Sequence, residues 1–286
     1  MPYFPERVDP MRTYTIRDSY GTEATMIPEK GATVISLHKN GQEFLYCDRE
    51  NLESAERPRC GIPFLFPIFG RLKDSTYIWE EKSYRMEIHG FGHTSVWQVA
   101  QHRADSLKLV LESDEKTLSQ YPFRFRVTLE FTLQDGLLTI AQTYENCDRK
   151  PMPYNYGFHP YFLTEKPEDI RVESTANTLF DFAVGAKPFG HGEVSVAIPQ
   201  GAPESGAALM GVRGPTVLHN DKAGTKLTME FDSSFHTHVL WTQAGKQFLC
   251  VEPVNGSADG LNTGNYLTLA PGEKRTAFVS FRPEIT

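Results

Sequence analysis

The sequence predicts an all-β protein built as one large sandwich of long antiparallel strands. Three observations carry that prediction. In "FRFRVTLEFTL" the residues Phe123, Phe125, Val127, Leu129, Phe131 and Leu133 are apolar, and Arg124, Arg126, Thr128, Glu130 and Thr132 between them are polar. A period of two sets one face on a core and the other in water. Turn dipeptides separate such segments, Asn40-Gly41 and Asp135-Gly136 above all, and these pairs favour two-residue hairpin turns. No segment keeps a helical apolar face for about ten residues, whereas 22 glycines and 19 prolines punctuate the chain throughout.

Taken in order, the first strands fall in "ATVISLHKNGQEFLYC", folded back at Asn40-Gly41. "SLKLVLES" gives a further strand, and "FRFRVTLEFTL" turns at Asp135-Gly136 into "LLTIAQTYEN" as a long hairpin. "KLTMEF", "HTHVLWT", "FLCVEP" and "TAFVSFRP" complete the set. The stretch "GAPESGAALMGVRGP" is the least strand-like and reads as a long loop or a short helix, with no function attached. No internal repeat and no linker divides the chain, so residues 1–286 read as a single domain.

Composition narrows the function classes. Hydrophobic residues at 40% and charged residues at 23% describe an ordinary soluble globular protein. A net charge of −7 argues against nucleic acid as a partner, because a phosphate backbone needs a positive field. No apolar run approaches the roughly 18 residues of a membrane helix, and "MPYFPERVDPMRTYT" has no apolar core like that of an export signal. Cys47, Cys60, Cys147 and Cys250 are far apart and form no CxxC pair, which argues against a disulfide framework or structural zinc. A cytoplasmic protein with reduced thiols is the expectation.

Walker A, GxGxxG, GxSxG and HExxH motifs are all missing. What remains is a set of polar residues embedded in stretches that read as core, where a polar group needs a reason. Arg71 ends the mostly apolar run "CGIPFLFPIFGRL"; it is either a strand residue that surfaces or an always-charged donor aimed at ligand oxygens. His89, in "EIHGFGHTSVW", stands beside Gly90 and Gly92, which let the backbone bend and leave space at the imidazole; a surface loop histidine fits equally well. His159, in "YNYGFHPYF", has aromatic residues on both sides and is either a packed structural histidine or a titratable group placed for work. Glu252 closes the apolar strand "QFLCVEPV", as a strand-end residue reaching solvent or as a general base whose pKa burial would raise. His236 and His238 have same-face strand spacing, but no third and fourth ligand sits at a compelling distance in the sequence, so a half-exposed pair is expected rather than a metal site.

In order, "GIPFLFPIFGRL", "HGFGHTSVW", "NYGFHPYF", "VEPVNGSADGLNTG" and "LTLAPGE" resemble the successive motifs of the aldose 1-epimerase (galactose mutarotase-like) family. The resemblance runs from about Thr25 to Phe281, nearly the whole chain. It implies a large antiparallel β-supersandwich and a mutarotase that interconverts α and β anomers of a monosaccharide without a cofactor or metal. By position in the motifs, it implies His159 as general acid, Glu252 as general base, and Arg71 and His89 as residues that hold the sugar. The acid and base would stand on opposite sides of the sugar, and the rings beside His159 would give its C–H face an apolar floor. Two departures stand out. His93 occupies a position where the family often has arginine, which weakens a hexose-6-phosphate reading. Where galactose-specific members carry an aspartate, "HTHVLWT" offers Thr237 or His238, so His238 becomes a candidate for binding the sugar. A non-catalytic carbohydrate-binding protein on the same scaffold is the alternative.

Overall fold

A computed structural model of the chain describes residues 11–53 and 59–286. The first ten residues, where an export signal was not expected, lie outside the described residues. Two large antiparallel sheets dominate. The nine-stranded sheet runs, in spatial order, Gly192–Val194, Arg171–Ser174, Thr216–Asn220, Thr225–Phe231, Lys274–Ile285, Leu137–Asn146, Phe125–Gln134, Ser106–Glu112 and Gln98–His102. The eight-stranded sheet runs Gly185–Pro188, Thr178–Asp181, Glu204–Met210, Thr237–Gln243, Phe248–Val254, Gly157–Phe158 and Phe64–Leu65, and Tyr161–Leu163 also pairs with Phe248–Val254.

The long hairpin forms as its alternation requires. Phe125–Gln134 pairs in full register with Leu137–Asn146, from Phe125 opposite Asn146 to Gln134 opposite Leu137. Asp135 and Gly136 both have positive φ, 51° and 76°, the left-handed pair that a type I′ turn demands and that Asp-Gly supplies at low cost. Asn40-Gly41 repeats the device at 49° and 84° between Thr33–Lys39 and Gln42–Glu43. The apolar set Phe125, Val127, Leu129, Phe131 and Leu133 is buried against Leu209, Leu240, Leu249 and Val251 in one continuous core. Each such side chain stabilises the sandwich by about 1.5–3 kcal/mol. The longest helix among the described residues is Glu115–Gln120, closed by a capping box at Asp114 and Thr117. No helix among them is long and apolar enough to cross a membrane.

One expectation fails. Within the stretch expected to be a loop or short helix, Glu204–Met210 is a strand in the interior of the eight-stranded sheet, between Thr178–Asp181 and Thr237–Gln243. Its central residues Ser205, Gly206, Ala207 and Ala208 are too small to write a period-two pattern, and pairing on both edges supplies what propensity does not. At Gly206 a Cβ would come within 2.9 Å of the Phe182 ring, so the glycine seats that aromatic.

Candidate functional site

The core-facing side of the eight-stranded sheet packs on the nine-stranded one, and its other side carries a cavity of about 700 Å³. In Phe248–Val254 every residue is buried. Leu249 and Val251 enter the main core, whereas Phe248, Cys250 and Glu252 alternate onto the opposite face. Glu252 therefore presents a carboxylate at the cavity with only 3% of its surface exposed.

His159 reaches the same point from a neighbouring segment. Its backbone N–H donates to the Pro63 carbonyl at 3.0 Å, just after Gly157–Phe158 has paired with both Phe64–Leu65 and Phe248–Val254. The imidazole Nε2 lies 3.3 Å from Oε1 of Glu252. Three rings fix its plane: Tyr161 stacks behind it at 4.7 Å and 11°, while His89 at 5.3 Å and Trp241 at 5.8 Å meet it edge-on. An imidazole and a carboxylate in such contact, with the ring's orientation held by packing, can accept one proton and deliver another without first rearranging.

His89 sits on a strained turn, with φ of 67°. Its backbone N–H donates to the Gly70 carbonyl at 2.8 Å, and its Nδ1 accepts from the Gly70 N–H at 3.2 Å. With Nδ1 accepting, a neutral ring carries its proton on Nε2. The Phe66 carbonyl accepts from both Phe91 and Gly92, each at 2.9 Å, and this ties the histidine loop to the segment leading to Arg71. The glycines beside His89 were expected to leave open space, but they do the reverse. A Cβ on Gly90 would meet the Phe66 oxygen at 2.4 Å, and one on Gly92 would meet Phe64 at 3.1 Å, so both glycines serve close packing. Arg71 is exposed and lines the cavity with His89, His159 and Glu252.

His238 is not in this group. It is fully buried in the layer between the sheets, with Nδ1 3.0 Å from Thr216 Oγ1 and its ring against Phe231. Burial pushes its pKa down to about 3, with the nearby His236 adding to the effect. Alternation along Thr237–Gln243 turns Thr237, Val239 and Trp241 to the cavity and His238 to the core. His236 precedes the strand and lines the cavity, so the two histidines do not share a face, and His238 is buried where a half-exposed pair was expected.

The aromatic floor also comes from elsewhere. Tyr154, Tyr156 and Phe158 are buried in the main core, and Tyr161 lies behind the imidazole. The rings facing the cavity are Phe69, Trp241, Phe180 and Phe182. Sequence reasoning singled out none of these four, nor Arg59, Glu204, Ala208 and Met210, although "LFDFA" carries its aromatics two apart, as one strand face would. Two of the missed groups are already engaged: Arg59 Nη1 donates to Gln243 Oε1 at 3.2 Å, and Trp241 Nε1 donates to Glu204 Oε2 at 3.3 Å. Beneath the cavity Leu65, Phe69, Ala208, Val239 and Val254 form a small apolar cluster of their own.

Comparison with known proteins places this architecture. The structure aligns with the Slr1438 protein of Synechocystis sp. PCC 6803 over 100% of both chains, with a TM-score of 0.89 and 30% identity. It aligns with galactose 1-epimerase of Lactobacillus acidophilus NCFM over 96% of this chain and 99% of that one, with a TM-score of 0.74 and 16% identity, a likeness of fold. In sequence it is 22% identical to the uncharacterized protein YphB of Escherichia coli (strain K12), over 96% of this chain and 99% of that protein. The sequence profile of the aldose 1-epimerase family matches residues 12–282. With its mutarotase-like β-sandwich and a profile match over nearly its whole length, the chain belongs to the aldose 1-epimerase family.

Proposed function

We propose that the protein is a mutarotase that interconverts the α and β anomers of a free aldose, with His159 as general acid and Glu252 as general base. The observation that carries this reading is the 3.3 Å contact between His159 Nε2 and Glu252 Oε1 at the cavity. Glu252 takes the proton of the anomeric hydroxyl while the bond from C1 to the ring oxygen breaks. That oxygen takes the proton of protonated His159, and the aldehyde forms. Rotation about the bond to C2 presents the other face of the carbonyl. Reclosure then returns a proton from the ring hydroxyl to His159 and one from Glu252 to the anomeric oxygen. The scheme consists of proton transfers, the opening and reclosure of one C–O bond and a bond rotation, with no change of oxidation state, so it calls for no cofactor.

The acid and base were expected on opposite sides of the sugar, and they stand side by side instead. That arrangement suits the chemistry, because the two oxygens they serve are bonded to the same carbon. Arg71 and His89 Nε2–H would supply donors to sugar oxygens as charge moves onto them. A second reading, a hexose-6-phosphate as substrate, is favoured by Arg59 and Arg71 lining one cavity. Polarimetry on freshly dissolved α-glucose, α-galactose and their 6-phosphates tests both readings. Purified protein is expected to speed the approach to anomeric equilibrium. The buffer rate for every aldose, free or phosphorylated, would overturn the assignment, and binding at that rate would favour a carbohydrate-binding protein.

A further inference from the structure

Cys47 and Cys60 meet at the neck of one loop. The Gly61 N–H donates to the Tyr46 carbonyl at 2.8 Å. That bond closes a loop of about 15 residues, of which Cys47 is the first and Cys60 the last. Both side chains enter a small apolar cluster with Ile27 and Leu52. Each thiol is the other's hydrogen-bond partner, and both are free. No CxxC spacing joins them in the sequence; the fold brings them together. Thiols already in contact need little backbone movement to bond.

The same neck is tied to the acid–base site. The Tyr46 N–H donates to the Tyr161 carbonyl at 2.9 Å, and the Tyr161 N–H donates to the Gly61 carbonyl at 2.8 Å. Tyr161 is the ring stacked on His159, and Arg59, directly before Cys60, lines the cavity.

The two sulfurs are not equivalent. Cys47 is half-buried, and the hydrogen bond from Cys60, helped by the charge of Arg49, holds its thiol below the usual range against the effect of burial. Cys60 is fully buried, and the neighbouring Cys47 together with that burial pushes its thiol far up. Cys47 therefore ionises first and can be reached, while Cys60 keeps its proton beside it. An accessible sulfur of low pKa next to a shielded one is the arrangement of an attacking and a resolving cysteine. The other two cysteines lack it. Partial burial of the Cys147 sulfur and the Glu145 carboxylate raise its pKa, and Cys250 is fully buried and raised as well.

We propose that Cys47 and Cys60 are a reversible thiol–disulfide pair, closed by a small-molecule disulfide such as oxidised glutathione and reopened by thiols. The Cys47 thiolate attacks one sulfur of the incoming disulfide, whose S–S bond breaks. The expelled thiolate takes up the proton that Cys47 gave to solvent. Cys60 then attacks Cys47 Sγ, and its proton passes to the second thiolate as that leaves. Two protein thiols are oxidised, and one small disulfide is reduced to two thiols. The new bond restricts the unfolded chain and so stabilises the fold, and it anchors the residue next to Arg59 at the cavity wall.

The test incubates the full-length protein with oxidised glutathione, blocks the remaining thiols with N-ethylmaleimide and maps the peptides by mass spectrometry without reduction. A peptide pair joined through Cys47 and Cys60 is expected. Dithiothreitol should restore both thiols, and the oxidised form should melt at a higher temperature than the reduced one. In Cys60→Ala the reaction should stop at its first stage, with glutathione held on Cys47. In Cys47→Ala, Cys60 should stay a thiol. Wild-type Cys47 and Cys60 both left free would overturn the proposal. So would a bond through Cys147, or a mixed disulfide on Cys47 that Cys60 never resolves. The wild-type map decides the matter even if a variant fails to fold. None of these outcomes involves a sugar, so the mutarotase reading stands or falls separately.

Discussion

Thr216 and His238 join the two large sheets across the core, Oγ1 to Nδ1 at 3.0 Å. The imidazole is neutral there, with a pKa of about 3 against 6.5 when the chain is unfolded. Between those values the unfolded state binds a proton that the native state does not, so stability falls as pH is lowered from 6.5 towards 3. The share from this one group is about 1.4 kcal/mol per pH unit. Urea denaturation at several pH values across that window should show the slope in the wild type. His238→Asn should lower stability at neutral pH and lose this part of the slope.

The proposed acid–base pair predicts that His159→Gln and Glu252→Gln each lower kcat by about 10²- to 10⁴-fold while the strand signal in circular dichroism persists. The pH profile of wild-type kcat/KM should be bell-shaped, because one group must hold a proton when the other does not. Each residual activity should lose one limb of the bell. Near-normal turnover in either variant would remove that residue from the scheme.

Gly157 separates the strands that carry the pair. A Cβ there would meet Val254 Cγ1 at 2.6 Å and the Pro253 oxygen at 2.8 Å. Gly157→Ala should push Gly157–Phe158 away from Phe248–Val254, with a stability loss of about 1–3 kcal/mol by thermal melting. Anomerisation should slow as well, since the shift falls beside both His159 and Glu252.

His89 holds a left-handed backbone conformation, at φ 67°. Asparagine tolerates that region and valine does not. His89→Val should therefore be less stable than His89→Asn by about 1–2 kcal/mol in denaturant titrations. Equal stabilities would mean that the turn relaxes.

Much of the scaffold could be read from residue order alone, because the hairpins at Asn40-Gly41 and Asp135-Gly136 bring their own turn chemistry and their strands alternate cleanly. The position of His159 and Glu252 in family motifs singled out the pair that the fold brings into contact. The far end of the cavity was hidden for a physical reason. Glu204–Met210 is built of small residues whose strand character comes from its neighbours, and without it nothing links Phe180 to Glu252. His238 was misplaced because alternation shows that Thr237 and His238 point opposite ways, but not which of them faces the core.

The acid–base contact has a consequence for how the molecule assembles. The hairpin from Phe125 to Asn146 closes between chain neighbours, whereas His159 and Glu252 meet only after segments far apart in the chain have docked. Long-range pairings of this kind form slowly, because a large loop must close before any contact rewards it. On the mutarotase reading, sugar turnover is therefore a late reporter of refolding. It should return after the strand signal has recovered, marking the moment when the whole sheet has found its register.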